Sequence, residues 1–206
     1  MPPTVIRPRL ATAHAVLKGW GCAGAAGTLG LVLLLTLVGP QRAPVLSAFR
    51  RSDLSVPTGG LLGLLAALAV LAGTREPSGQ LTVTSARPVA LIRSVRVLVL
   101  STVSVILITS GAGATLRTAV ASVGALVGEQ LVMAALVGRA FSWAAPMTHT
   151  LAAVTLGATG DGRIAGWPWF LDPHVSASGE AASGLLLAAG LWTWAPRSRR
   201  VSDLTD

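Results

Sequence analysis

TAVASVGALVGEQLVMAALVG, residues 118–138, is the stretch that decides the fold, and it lies between Arg117 and Arg139. Its 21 residues carry one ionisable side chain, Glu129. A helix of this length measures roughly 30 Å, about the thickness of the hydrocarbon core of a bilayer. Because lipid offers no hydrogen-bond partner, we expect the Glu129 carboxyl to face protein or water and the helix to face inward.

The amino-acid composition is that of a membrane-embedded chain. Of its 206 residues, 52% are hydrophobic and 12% are charged, whereas soluble domains carry about 25% charged residues. Several apolar runs also reach the length that is needed to cross a bilayer. We therefore predict one transmembrane domain over residues 1–206.

Six apolar segments are predicted to cross the bilayer as helices, which makes the fold class an all-α, polytopic membrane bundle. A signal peptide is the alternative for residues 1–40, but the apolar run there is long and no clear A-x-A cleavage site follows it. We therefore favour a retained first span. The six predicted spans cover residues 19–39, 56–73, 97–116, 118–138, 140–159 and 175–196.

The basic residues predict the orientation of these spans. The net charge is +8, and 15 of the 16 basic residues are arginines, most of which flank the apolar runs. Six spans put both termini on one side, and that side then holds eleven of the 16 basic residues. Since cytoplasmic loops are rich in Lys and Arg, we predict cytoplasmic termini and a multi-pass protein of the plasma membrane. Arginines in these positions contact lipid headgroups, so we predict no nucleic-acid partner.

The sequence lacks the patterns that are typical of an intramembrane enzyme. It contains neither H-E-x-x-H nor G-x-S-x-G, and His14, His149 and His174 do not have the spacing of metal ligands. The P-loop pattern G-x-x-x-x-G-K-[ST] is also missing, since Lys18 is the single lysine. We therefore predict no catalytic residue, metal or cofactor in this chain, and we assign any ATP and Mg²⁺ to a partner chain.

Three residues inside the predicted spans are candidates for a polar pathway: Glu129, Gln130 and His149. Glu129 is either part of a substrate path or a carboxyl that bonds to a neighbouring helix, and the sequence favours neither role. Gln130 lies about 100° farther around the helix, so the two side chains need not face one cavity. A histidine such as His149 more often packs against its neighbours than binds a ligand.

An aromatic cluster, Trp167, Trp169 and Phe170, precedes the sixth predicted span. Aromatic residues of this kind are enriched at the headgroup level of the bilayer. The cluster is therefore either a gate over an outer vestibule or an anchor on the bilayer surface, and the second arrangement is the commoner one.

A basic segment precedes the third predicted span. Pro88 suits the first position of a helix, and Arg93 and Arg96, three residues apart, share one face of it. Together with Arg87, these residues predict a short basic helix on the cytoplasmic surface.

Three motifs carry a resemblance to a known family: ARPVALIR (residues 86–93), VGEQLVMAALVGRAFSWAAP (127–146) and GWPWFLDP (166–173). Their order resembles that in the membrane subunit of an actinobacterial ABC-2-type transporter, over residues 87–196. The resemblance implies six spans with cytoplasmic termini, in agreement with the arrangement that the apolar segments predict.

The resemblance also implies partners. In that family the loop between spans two and three contacts the ATPase subunit, which makes residues 86–96, with Arg87, Pro88, Arg93 and Arg96, the coupling segment here. The outer loop often dips toward the membrane, and residues 167–171 would occupy that place. This chain is shorter than most such permeases, so the resemblance further implies a second permease copy or a paralogue.

The six spans, the inner basic loop and the lack of an ATP motif together predict the permease subunit of an ATP-driven exporter. A separate nucleotide-binding chain would energise it. The alternative is a structural or regulatory subunit without a pathway, which the scarcity of polar residues within the spans favours. A membrane enzyme is a third possibility, and it requires convergent polar groups that the sequence does not show.

Overall fold

The computed structural model describes residues 22–39, 42–44, 55–74, 89–157, 165–172 and 174–197. Most of these residues are helical, which confirms the predicted all-α class. The helices are α1 (Cys22–Val38), α2 (Thr58–Gly73), α3 (Val89–Gly111), α4 (Leu116–Leu136), α5 (Ala144–Leu156) and α6 (Ala177–Arg197). The remaining regular elements are two antiparallel three-residue strands, β1 (Arg42–Pro44) and β2 (Ser55–Pro57), and 3₁₀ turns at Arg139–Phe141 and Trp169–Leu171.

Each predicted span overlaps one of these helices. The 23 residues of α3 and the 21 residues of α4 are long and apolar enough to cross a membrane, by length and composition. The helices α1 and α2 are also apolar but have 17 and 16 residues. Membrane-helix character is thus found for two helices, and the six-span arrangement stays a prediction.

The start of α3 differs from the prediction. The sequence predicts a short basic helix and then a span over residues 97–116, but α3 runs without interruption from Val89 to Gly111. No glycine or proline separates Arg93 and Arg96 from the apolar residues that follow, so one helix propagates through both pieces. Arg87 and Pro88 lie outside the described residues.

The fifth helix is shorter than the predicted span over residues 140–159. The 13 residues of α5 rise about 20 Å, whereas a hydrocarbon core is roughly 30 Å thick. Gly138 adopts a φ of 88°, a left-handed conformation that glycine tolerates without steric cost. The chain turns there and passes through the 3₁₀ turn before α5 begins, so α5 is a short element separated from α4.

Helix α4 is the centre of the bundle. It contacts α2, α3, α5 and α6 as well as both 3₁₀ turns. Its residues 121–128 are all buried, and most of them are small enough to let neighbouring helices approach. This burial agrees with the prediction that the segment faces inward.

Helices α4 and α6 meet through glycine. A Cβ on Gly128 would lie 2.4 Å from the carbonyl carbon of Leu186, and a Cβ on Gly190 would lie 2.7 Å from the Gly128 oxygen. Distances this short leave no room for a side chain at either position. The two backbones therefore touch directly, as small-residue helix pairs in membranes do.

Helix α2 approaches α4 in a related way. The Ser122 hydroxyl lies where a side chain on Gly63 would be, with 1.9 Å between its oxygen and the position of that Cβ. The same hydroxyl donates a 2.7 Å hydrogen bond to the Gly60 carbonyl oxygen. A buried serine is thus satisfied by the neighbouring helix, as buried polar groups must be.

The first turn of α1 and the last turn of α6 lie at the same end of the bundle. Gly24 of α1 lies against Ala72, near the C-terminus of α2. Trp194 of α6 lines a cavity together with Thr74, which directly follows α2. The described helices therefore begin and end beside the C-terminus of α2.

Candidate functional site

Glu129 of α4 and His149 of α5 form a polar pair inside the bundle. The His149 Nδ1 atom lies 2.5 Å from the Glu129 Oε1 atom. Their side chains are 15% exposed for Glu129 and 20% exposed for His149. Since Gly128 faces α6 and Gln130 faces a cavity beside α2, the helical rotation leaves Glu129 directed at α5.

Three aromatic rings surround the His149 imidazole and form what we call the aromatic wall: Trp167, Trp169 and Phe170. Trp167 stacks on the imidazole, with 5.9 Å between ring centroids and an interplanar angle of 18°. Trp169 and Phe170 lie at steep angles to the imidazole, with centroids 6.0 Å and 4.7 Å away. Phe170 is fully buried and Trp167 is 40% exposed, so the wall extends from the interior to the surface.

A hydrogen bond fixes the aromatic wall to α6. The Trp169 Nε1–H group donates to Ser183 Oγ at 2.9 Å, and the Ser183 hydroxyl donates to the Gly179 oxygen at 2.9 Å. A Cβ on Gly179 would lie 3.0 Å from the Trp169 Cβ atom, so glycine permits this close approach. The sequence does not distinguish Ser183 from Ser178, the other serine of α6, and this contact is visible only in the fold.

The pair offers proton chemistry. An imidazole Nδ1 atom and a carboxyl oxygen at hydrogen-bond distance share one hydrogen, which either atom can hold. The second carboxyl oxygen, Glu129 Oε2, is buried and has no hydrogen-bond partner among the described residues. Groups of three or more potential metal ligands do not occur in the described part of the chain.

Gln130 faces a different part of the bundle. It is 2% exposed, and its Oε1 atom has no hydrogen-bond partner within the described residues. It lines a cavity of about 10 Å³ with Thr74, Arg139 and Trp194. A cavity of this volume has room for about one water molecule.

Two arginines bind the C-terminus of α2. Arg139 donates to Thr74 O at 2.8 Å and also to Leu71 O, and Arg96 donates to Gly73 O at 3.3 Å. The last carbonyls of a helix lack intrahelical donors and carry a partial negative charge, so cations stabilise them. The sequence predicts only an orienting role for Arg139, because its partner Thr74 is 65 residues away in the chain.

The described part of the predicted coupling segment packs into the bundle. Arg93 is 7% exposed, and Arg96 contacts the end of α2. The side chains that these turns of α3 direct outward are apolar, with Leu91 61% and Val95 50% exposed. The two arginines therefore contribute to packing in this structure, whereas the sequence predicts a basic surface.

No protein-family model, curated protein or solved structure matches this chain. The resemblance to ABC-2-type permeases therefore stays a prediction. Functional inference rests on the geometry of the bundle and of the Glu129–His149 pair.

Proposed function

We propose that this chain is a multi-pass protein of the plasma membrane. The length and apolar composition of α3 and α4 support this proposal. So do the apolar side chains that α3 directs outward, because Leu98, Val99 and Ile106 are 44%, 53% and 58% exposed. A continuous apolar surface of this kind is unfavourable in water and is satisfied in lipid.

Within the membrane, we propose that the chain is the permease subunit of an ATP-driven exporter. The observation that carries this proposal is the contact between Glu129 and His149. Ionisable residues in membrane helices are costly, and they mark pathways for substrates, ions or protons more often than they serve packing. The pair lies between the central helix and the shortest described helix.

The proposal includes two kinds of protein partner. A separate chain binds ATP and Mg²⁺ and supplies the energy, and a second permease copy or paralogue completes the pathway. The cavity at Gln130 has a volume of about 10 Å³, too small for any cargo, so the path is assigned to the interface between two permeases. The ATPase contact is assigned to residues 86–96, where Leu91 and Val95 provide exposed apolar surface.

A structural or regulatory subunit without a pathway is the second candidate. The direct backbone contact between α4 and α6 favours it, because helices that touch at Gly128 and Gly190 leave no space between them. In this case Glu129 and His149 hold α5 in place and take no part in transport.

Purification under mild detergent tests the first candidate. We expect an ATPase subunit to copurify with the chain and its ATP hydrolysis to depend on the chain's presence. Recovery of the chain without any ATPase would count strongly against the permease proposal.

Variants of Glu129 discriminate between the two candidates. For a permease, Glu129→Gln lowers the ATPase activity of the copurified complex while assembly stays intact, since the amide keeps the shape of the carboxyl. For a scaffold, Glu129→Gln leaves the activity unchanged, and Glu129→Leu weakens assembly. The measurements are ATP turnover in lipid nanodiscs and the size of the purified complex.

A further inference from the structure

We propose that Glu129 and His149 together form a binding site for one exchangeable proton. This inference deepens the proposed function, on which it rests for the role of the ion in transport. The site itself requires only the geometry of the pair: a 2.5 Å contact between Nδ1 and Oε1 at the junction of α4 and α5. At this distance one hydrogen must lie between the two atoms, because two lone pairs would repel each other.

Among the described residues, the other charged side chains that we considered as partners of Glu129 bind elsewhere. Helix α2 contributes no charged residue. Arg117 lies 3.4 Å from Glu180 on α6, Arg139 donates to the end of α2, and Asp172 accepts from the His174 N–H group. Within the described part of the chain, the ion pair that Glu129 makes is therefore the one with His149.

Binding of a proton removes the net charge of the pair. With the proton bound, the imidazolium donates its Nδ1–H to the Glu129 carboxylate, and the two charges compensate. On release, the proton leaves the Nε2 atom of His149 for water, while the Nδ1–H group remains bonded to the carboxylate. An uncompensated carboxylate is costly in an apolar interior, and the imidazolium supplies the compensating charge.

The aromatic wall supports the charged imidazole. A cation within about 6 Å of an aromatic ring is attracted by its π-electrons, and the Trp167 ring stacks on the imidazole at 5.9 Å. The wall does not seal the site, because His149 is 20% and Trp167 is 40% exposed. The His149 ring therefore reaches the surface of the bundle.

The test is an NMR titration of the protein in lipid nanodiscs with isotope-labelled histidine, from about pH 8 to about pH 5, where histidine changes its charge. Loss of one signal in His149→Gln assigns His149. His174, which is exposed in the segment that precedes α6, is the matched control and is assigned by His174→Gln.

We expect Glu129→Gln to lower the proton affinity of His149 about tenfold, because a neutral amide replaces the carboxylate that stabilises the imidazolium. The titration of His174 should not change. Trp167→Phe supplies a second variant that keeps an aromatic ring, and it should lower the affinity of His149 about threefold.

An identical His149 titration in the wild-type protein and in Glu129→Gln would overturn the proposal. So would a His149 signal that does not change over this pH range. Neither ATP nor cargo nor a partner enters the titration, so its failure is distinguishable from failure of the permease proposal, which copurification decides.

Discussion

Helices α6 and α5 both pack on α4, but they do so by different means. Helix α6, with 21 residues, lies so close that Gly128 and Gly190 have no space for a Cβ. Helix α5, with 13 residues, meets α4 through side chains, with the Glu129–His149 pair at the contact and the aromatic wall beside it.

The two contacts on α4 are expected to respond to different changes. Backbone contact depends on shape alone, and any added atom must push the helices apart. A polar contact between side chains depends on charge, so a proton can strengthen or weaken it without a change in sequence. We therefore expect substitutions at the α4–α6 contact to lower stability and substitutions at the α4–α5 contact to change activity as well.

The largest effect on stability is expected from Gly128→Ala. The new Cβ would lie 2.4 Å from the Leu186 carbonyl carbon, and separation of the helices should lower the free energy of unfolding by about 3 kcal/mol. Reversible unfolding in mixed micelles measures the loss. The matched control is Gly184→Ala on α6, where nothing lies within 4 Å, and it should gain up to about 1 kcal/mol. Equal losses of stability at Gly128 and Gly184 would show that the loss at Gly128 does not come from the backbone contact between α4 and α6.

The next effect concerns the polar pair. His149→Phe keeps a ring packed against the aromatic wall but leaves the Glu129 carboxyl without its partner, at an expected cost of about 2 kcal/mol. Combined with Glu129→Gln in a double-mutant cycle, it should show a coupling energy of about 1 kcal/mol. Additive losses in the same unfolding assay would mean that the two side chains do not stabilise each other.

A smaller effect is expected at the turn that precedes α5. Arg139→Gln removes the cation that bonds the α2 C-terminus and should lower the free energy of unfolding by about 1 kcal/mol. Arg117→Gln is the control, because Arg117 is 76% exposed beside Glu180, and it should lose less than about 0.5 kcal/mol. A larger loss for Arg117 than for Arg139 would contradict this assignment.

The smallest effect is expected where the aromatic wall joins α6. Trp169→Phe removes the indole donor to Ser183 and should lower the free energy of unfolding by about 0.5 to 1 kcal/mol. Ser183→Ala should lose a similar amount, and the double variant should lose little more than either single one. Fully additive losses would show that this hydrogen bond does not connect the wall to α6.

Much of the helical framework could be predicted from the sequence. Apolar segments between arginines and turn residues indicated where helices lie, and one carboxyl in an apolar stretch indicated that α4 faces inward. The start of α3 was harder to predict, because Arg93 and Arg96 look like the end of a polar loop. Their surroundings are decided by the C-terminus of α2, to which Arg96 donates a hydrogen bond.

The candidate site could be predicted in its parts but not in its assembly. Glu129, His149 and the three aromatic residues stand out by residue type, yet no local spacing relates them. His149 is 20 residues from Glu129, and the turn at Gly138 lies between them. Ser183 and Arg139 gave no signal of their roles, since their partners come from distant segments.

The sequence by itself determined the helices and their apolar character, because backbone hydrogen bonds form within a helix and hydrophobicity belongs to each side chain. Only the tertiary structure decided that Glu129 meets His149 inside an aromatic wall while Gly128, one residue earlier, meets the backbone of α6. Rotation of about 100° per residue presents adjacent residues to different neighbours, and packing alone selects those neighbours.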